Sequence, residues 1–518
     1  MKTFLYGRDR LTVRTALGLA RGALRGRLDA EARRRVQASQ KAVEEIVASG
    51  RTVYGVNTGF GPLCRTAISA GDTRTLQLNI LRSHAVGMGN PVSPELTRLM
   101  LILKLHALSQ GFSGVRLETL HRIAWHVEHD IVPVVPEQGS VGASGDLAPL
   151  AHLFLPLVGL GHVWVGGRAA PAARVLERHG LRPVDLGPKE GLALINGTQF
   201  ITAFAVSVIA RLHNCLEAAD LIGAMSVEGL LGSARSFEAR LHELRPFRGA
   251  QLVGHRLSRL LKGSQMVASH AQCDRVQDPY SLRCMPQVHG ASRDAWAHLN
   301  AQLSIELNSV TDNPILFSAR DTISGGLFHG QPLALPLDYA SLAASELGSI
   351  SERRTYLLLE GRVGLPLLLM KDTGVNSGFM VAQYLAAALA SENKTDCFPA
   401  SADSIPTSLG QEDHVSMGSV SARKALRIIG NLEKILGVEL LCAAQAFDFR
   451  RPLRSSPILE ACHELLRSQV SHADADRVFS EDLEQTARVV ASGELVTCAN
   501  AAARRHGIDL RGQWGEEF

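Results

Sequence analysis

Residues 193–225, "ALINGTQFITAFAVSVIARLHNCLEAADLIGAM", carry apolar side chains on nearly every face at helical spacing, with Asn196, Gln199, Asn214 and Asp220 scattered among them. A helix without a broad polar face has to be enclosed by other helices. "LDYASLAASELGSISERRTYLLL" (337–359) and "ARKALRIIGNLEKILGVELLCAAQAF" (422–447) repeat the pattern through i,i+3 and i,i+4 apolar spacing. Alternating strand patterns are scarce; only "RTVYGVN" (51–57) and "HDIVPVV" (129–135) suggest short extended pieces. The spacing predicts a mainly α protein: a long-helix bundle over 191–518 behind a smaller mixed N-terminal region, 1–190. No repeat or low-complexity tract marks that boundary. Helices apolar on several faces have more surface to bury than one layer covers, which favours an oligomer.

The bulk numbers exclude several classes. With 518 residues, 46% hydrophobic and 20% charged, the chain has the composition of a globular protein. A net charge of +4 makes no case for nucleic acid or an anionic membrane as partner. The arginines of "ARGALRGRLDAEARRRVQ" (20–37) alternate with Asp29 and Glu31 and read as a solvated amphipathic helix. "MKTFLYGRDRL" lacks the apolar core of a secretory signal. The most apolar stretch, "LAPLAHLFLPLVGLGHVWVGG" (147–167), is broken by Pro149, Pro156 and glycines. It falls short of the roughly 20 unbroken residues that a spanning helix needs. Cysteines 64, 215, 273, 284, 397, 442, 462 and 498 lie far apart with no CxxC, as free thiols of a reducing cytoplasm would.

Polar signals fall between the helical windows, where function tends to reside. "GSVGASGDLAPLAH" (139–152) is either a tight turn with Asp146 capping the next helix, or a place where Ala143, Ser144 and Gly145 react with one another. "VYGVNTGFG" (53–61) puts Tyr54 among glycines, as a mobile lid carrying a phenol or as a plain turn. "RVQDPYSLRCMPQ" (275–287) holds Gln277, Tyr280 and Arg283 between prolines, and an arginine on stiffened backbone suits a carboxylate. The bland alternative is a surface loop. "SIPTSLGQEDHVSMG" (404–418) gathers Gln411, Glu412, Asp413 and His414, either as a site or as acids at a helix N-terminus. In "HRIAWHVEH", His121, His126, Glu128 and His129 lack the HExxH spacing of a metal site, and they read as a solvated helix face.

Taken in order, "VYGVNTGFG", "LRSHAVGMG", "GSVGASGDLAPLAH", "LINGTQ", "QDPYSLRCMPQV", "SGGLFHGQPLALPLD", "SERR", "NSGFM" and "SIPTSLGQEDHVSMG" span most of the chain. This series resembles the aromatic amino acid lyases that carry a methylidene-imidazolone group, and most closely the histidine ammonia-lyases. The resemblance implies a 4-methylidene-imidazol-5-one (MIO) built autocatalytically from Ala143, Ser144 and Gly145. The Gly145 amide nitrogen would attack the Ala143 carbonyl and two waters would leave, one of them from the Ser144 hydroxyl. The residue types suit that chemistry. Serine has a β-oxygen to lose, glycine leaves its nitrogen unobstructed, and a rigid surround must hold two planar peptides in a strained bend.

Such an electrophile takes up the amine of an amino acid and turns it into a leaving group. The resemblance implies Tyr54 as the base for the β-proton, with its phenol brought below the usual value of about 10 by neighbours. It implies Arg283 and Asn196 at the substrate carboxylate, Tyr280 and Gln277 at the amine, and Phe328 against the ring. His84, in "LRSHAVG", and Glu412 point to histidine, because an imidazole donates a hydrogen bond to a carboxylate and a phenyl ring cannot. The chain departs from the family at Leu327, where asparagine is common, and has Gly410 before Gln411 as one branch does. The resemblance further implies a homotetramer with active sites shared between subunits and a small amino acid as substrate; the scattered cysteines point to the cytoplasm, and the histidine spacing gives no metal site. The competing readings are a tyrosine ammonia-lyase or a tyrosine 2,3-aminomutase on the same parts, and a non-catalytic helical oligomer. A fumarase-type serine loop is absent, and Tyr54, Ser144 and Arg283 are all in place.

Overall fold

The computed structural model describes residues 3–69, 71–272 and 275–514, so Cys273 lies outside the described residues. Among them are twenty α-helices and nine short strands, in accord with the mainly α reading. The chain forms two compact units, each discontinuous in sequence: 1–207 with 300–338 and 399–423, and 208–299 with 339–398 and 424–518. A single cut near residue 190 does not reproduce them, because the long helices Gln199–Gly229, Met285–Glu306, Gln331–Leu359 and Gly418–Phe449 each give residues to both.

In the first unit the helix Pro94–Leu108 starts on Ser93, whose hydroxyl accepts from the Leu96 amide, with Pro94 in the first turn. All of Leu99–Leu108 is buried, Lys104 and His106 included. The strands form small sheets. Val132–Pro133, within the extended piece read at 129–135, pairs antiparallel with His162–Val165, which pairs with Arg168–Pro171. The other extended piece, 51–57, is a turn: Asn57 accepts from the Val53 amide and donates to the Arg51 carbonyl, which curls the backbone. The arginine-rich stretch is also only partly helical. Arg25–Arg27 is a strand paired parallel with Thr3–Leu5, and the helix begins at Ala30, capped by Asp29.

The helix window read from residue 193 is interrupted. Glu190–Ile195 ends at an extended Asn196, and Gln199–Gly229 starts anew. Among the described residues this second helix alone is long and apolar enough to cross a membrane by length and composition, yet most of its apolar window is buried within the protein. It is a core helix of this fold. Within the second unit its Asp220 is met by Arg293 at 2.5 Å, Arg256 at 2.7 Å and His289 at 2.8 Å. Burial alone would push that carboxyl up, and the two guanidiniums instead hold it well below the usual carboxylate range. A buried carboxylate is tolerable only when paired in this way.

His126 also departs from expectation. It is buried, with Nδ1 2.7 Å from the Ile131 carbonyl, and burial depresses its pKa to about 4. The helix Leu117–Glu128 is amphipathic, and His126 lies on its inner face beside Ile123.

Candidate active site

The Ala-Ser-Gly turn is held from both sides within the first unit. Gly145 bridges Gly197 in parallel: the Asp146 amide donates to the Gly197 carbonyl at 2.8 Å, and the Gly197 amide donates to the Ser144 carbonyl at 3.3 Å. Both glycines are required. Gly145 has φ +79°, and a Cβ there would lie 2.2 Å from the Gly197 oxygen; Gly197 has φ +116°, and its Cβ would meet Gln199 at 2.6 Å. On the other side Ala143 packs with Val415 and Met417. The Ser416 hydroxyl donates to the Gly142 carbonyl at 3.2 Å, and Ser419 donates to the Ser140 carbonyl at 2.6 Å. The Gly145 N–H donates to no acceptor among the described residues.

Asp146 does not cap the helix that follows it. Its side chain makes no cap bond to Leu147–Phe154; one oxygen instead accepts from the Phe200 and Ile201 amides, 3.0 Å each, at the start of Gln199–Gly229. Burial raises this carboxyl to about 7 against those two bonds, and its other oxygen is buried without a partner.

Two of the residues expected there, Glu412 and Asn196, touch the turn, and the charge of Glu412 acts on two more, His84 and Tyr54. The Ser144 hydroxyl donates to Glu412 Oε1 at 2.8 Å, and Glu412 Oε2 accepts from the hydroxyls of Thr407 and Ser408, 2.9 Å each. Asn196 Nδ2 donates to the Ser144 carbonyl at 3.4 Å. His84 pairs through Nδ1 with the Ser83 hydroxyl at 3.0 Å; burial lowers its pKa, and the charge of Glu412 opposes that. Tyr54 accepts from the Gly61 amide at 3.3 Å. Burial raises its phenol pKa, the charges of Cys64 and Glu412 add to the rise, and only the Gly61 bond opposes it. Neighbours within the chain therefore push Tyr54 away from the lowered value that a base requires. Its glycines serve packing as well as freedom, since a Cβ on Gly55 would meet Leu192 at 2.4 Å.

Glu412 is not in the first turn of a helix. The helix begins at Gly418, and residues 404–417 form a loop closed by the Thr407–Glu412 bridge. Phe328 is half-buried ahead of Gly330, where a Cβ would touch Ser416 at 2.8 Å, and Leu327 beside it is exposed.

Gln277, Tyr280 and Arg283 sit together in the second unit. They line a cavity of about 510 Å³ with Arg275, Leu357 and Arg362. The short helix Tyr280–Arg283 starts after Pro279, which sets its first turn. Arg283 lies 4.4 Å over the Tyr280 ring, donates to the Asp278 carbonyl at 3.0 Å and to Gln277 Oε1 at 2.9 Å.

One residue at the site was not anticipated: Lys104, whose ammonium donates to the carbonyl of Asn196. Its signal is legible in hindsight as a lone lysine inside "LMLILKLHAL".

The sequence model of the aromatic amino acid lyases matches residues 11–468. A histidine ammonia-lyase of Symbiobacterium thermophilum is 48% identical over 95% of this chain and 97% of its own length. The crystal structure of histidine ammonia-lyase from Trypanosoma cruzi superposes with a TM-score of 0.89 at 40% identity, covering 97% of this chain and 96% of that one. A tyrosine aminomutase from Streptomyces globisporus gives a TM-score of 0.92 at 35% identity over 98% of this chain and 100% of that one. Sequence and fold agree across almost the whole length: the chain belongs to the aromatic amino acid lyase family.

Proposed function

We propose that this chain is a carbon–nitrogen lyase that removes ammonia from L-histidine to give trans-urocanate. The observation that carries the reading is the contact of Glu412 with Ser144, with the charge of that carboxylate acting on His84 as well. Similarity to histidine ammonia-lyases supports it independently.

Ala143, Ser144 and Gly145 fit the prosthetic group. The Gly145 nitrogen donates to no acceptor among the described residues, and the turn leaves no room for a Cβ there. The group formed from these three residues supplies an electrophile for the substrate amine. Every other part of the work falls to side chains. Glu412 accepts the imidazole N–H and selects against phenyl rings. Arg283, freed from Gln277, forms a forked pair with the substrate carboxylate, assisted by Asn196, and the Tyr280 hydroxyl with Gln277 orients the amine. Phe328 covers the ring. Tyr54 takes the β-proton.

The active enzyme is a homotetramer whose sites combine residues of more than one subunit. Exposed apolar faces support assembly: Leu335, Tyr339, Leu342 and Tyr356 stand exposed at helical spacing on Gln331–Leu359, and Val381, Tyr384 and Leu385 on Met380–Asp396. A second copy also brings a source of cations to lower the Tyr54 phenol, where among the described residues of the single chain no cation acts on it. The seven described cysteines are free thiols, in keeping with a cytoplasmic location.

The deciding experiment incubates the enzyme separately with L-histidine, L-tyrosine and L-phenylalanine and follows the ultraviolet absorbance of each unsaturated product. Turnover of histidine above the others supports the reading. Deamination of tyrosine with histidine ignored, or appearance of a β-amino acid, establishes the tyrosine lyase or aminomutase reading instead. No turnover of any of the three would leave the non-catalytic oligomer.

A further inference from the structure

Lys104 lies fully buried in the helix Pro94–Leu108, with its ammonium on the Asn196 carbonyl oxygen and 3.4 Å from Gln199 Oε1. Gln199 is itself fixed, donating to the Thr311 hydroxyl at 2.7 Å. The peptide that Lys104 touches runs from Asn196 to Gly197, and its own N–H donates to the Ser144 carbonyl. A continuous line therefore leads from a charge, through one amide, to the serine of the reactive turn. A charged donor on an amide oxygen draws electron density from the nitrogen and strengthens the N–H on the far side. The Asn196 side chain gives the Ser144 carbonyl oxygen a second donor.

We propose that Lys104 is a positioning residue that fixes the Asn196–Gly197 peptide and strengthens its N–H toward the Ser144 carbonyl oxygen, so that the electrophile formed there is attacked more readily. The inference rests on the reading that Ala143, Ser144 and Gly145 form that electrophile. Closing the ring would leave the Ser144 carbonyl in place, conjugated with the carbon made electrophilic. A stronger donor at its oxygen would withdraw electrons from that carbon and favour charge building up on the oxygen. A buried charge is costly, and a purely structural contact would be met more cheaply by a neutral side chain. Asp312 and Asp146 favour the ammonium form, while Lys189 opposes it and burial brings the group to about 7.

The test compares wild type with Lys104→Met, assembled and purified in the same way. Intact-mass spectrometry first measures the fraction of chains lighter by two waters. Cyanide, a small nucleophile that needs none of the substrate-binding groups, is then added, and its uptake is timed by mass and expressed per closed chain. The expected result is closed Lys104→Met chains that take up cyanide about tenfold more slowly or worse, with kcat for L-histidine lowered by a similar factor. KM should stay within about threefold, because Lys104 does not touch substrate. Uptake at the wild-type rate in closed Lys104→Met chains overturns the proposal. If that variant does not fold, Lys104→Gln keeps a neutral donor; an intermediate rate supports the proposal and a wild-type rate overturns it. Loss of the two-water deficit in both folded variants places the lysine in ring closure instead and also overturns it. A wild-type chain of full mass refutes the reading of the turn itself, and is recognised by occurring without any substitution.

Discussion

Ser144 Oγ donates to Glu412 Oε1 at 2.8 Å, joining residues 268 positions apart in the chain. The second carboxylate oxygen is occupied by Thr407 and Ser408, so one oxygen is held facing the Ala143–Gly145 turn. A side chain anchored in this way keeps its direction when a substrate arrives, which is the condition for specificity by hydrogen bonding. Glu412 and Ser144 are thus brought into contact by the fold, although nothing local in the sequence connects them.

The serine carries the first prediction. The purified wild-type chain should be lighter by two waters than its sequence, and Ser144→Ala should show the full mass. Activity on L-histidine should fall by about a thousandfold or more, since an interaction unit of this kind fails when one member is lost. Intact-mass spectrometry and a product assay check both halves.

Glu412→Gln should lower kcat/KM for histidine about 10- to 150-fold, the equivalent of about 1.5–3 kcal/mol for a charge-assisted hydrogen bond. Activity toward tyrosine should hold or rise. A greater loss would mean that the carboxylate takes part in proton transfer as well as recognition.

The same variant should alter the pH profile. The Glu412 carboxylate helps to hold the Tyr54 phenol up, behind the larger effect of burial. Removing a negative charge favours the phenolate, so the Tyr54 pKa falls and the alkaline-rising limb of kcat/KM moves to lower pH. The residual activity of Glu412→Gln, measured against wild type across the alkaline range, reads the shift; Tyr54→Phe should lack the limb altogether.

Asp146 predicts a stability effect of defined sign. Its pKa is raised from 3.8 to about 7 in the folded chain. The folded state therefore binds the proton more tightly than the unfolded one, and this group's contribution, present at low pH, is lost as pH rises from about 4 to 7. Asp146→Asn should remove that part of the decline. Thermal melts across the range, in a Ser144→Ala background so that ring closure plays no part, would show a flatter curve for the double variant.

Tyr54 and Arg283 lie in different compact units of the chain. With sites shared between subunits, inactive Tyr54→Phe and inactive Arg283→Ala chains, dissociated and reassembled together, should recover part of the wild-type activity. Mixed tetramers verified by mass and still inactive would mean that each site is built within one chain.

Much of this protein is written in short-range pattern. Apolar spacing alone establishes the long helices at 337–359 and 422–447, because a helix that buries most faces repeats its requirement every turn. The chemistry proposed for Ala143, Ser144 and Gly145 is likewise local, since the atoms it would join are neighbours in the chain. Tertiary structure decided what depends on distant partners. Asp146 sits where a cap belongs, yet it serves a helix that begins more than fifty residues later. Asn196 and Gly197 interrupt an otherwise continuous helical pattern because Gly145 pairs with Gly197 there. Tyr54 reads as a phenol awaiting activation, and the fold instead desolvates it beside two groups that raise it further. Lys104 reads as an oddity in an apolar run until Asn196 is brought onto its ammonium across 92 positions of sequence. Local pattern records what a residue needs in order to be buried or turned. The charges and donors it meets once buried are set by packing between segments far apart in the chain.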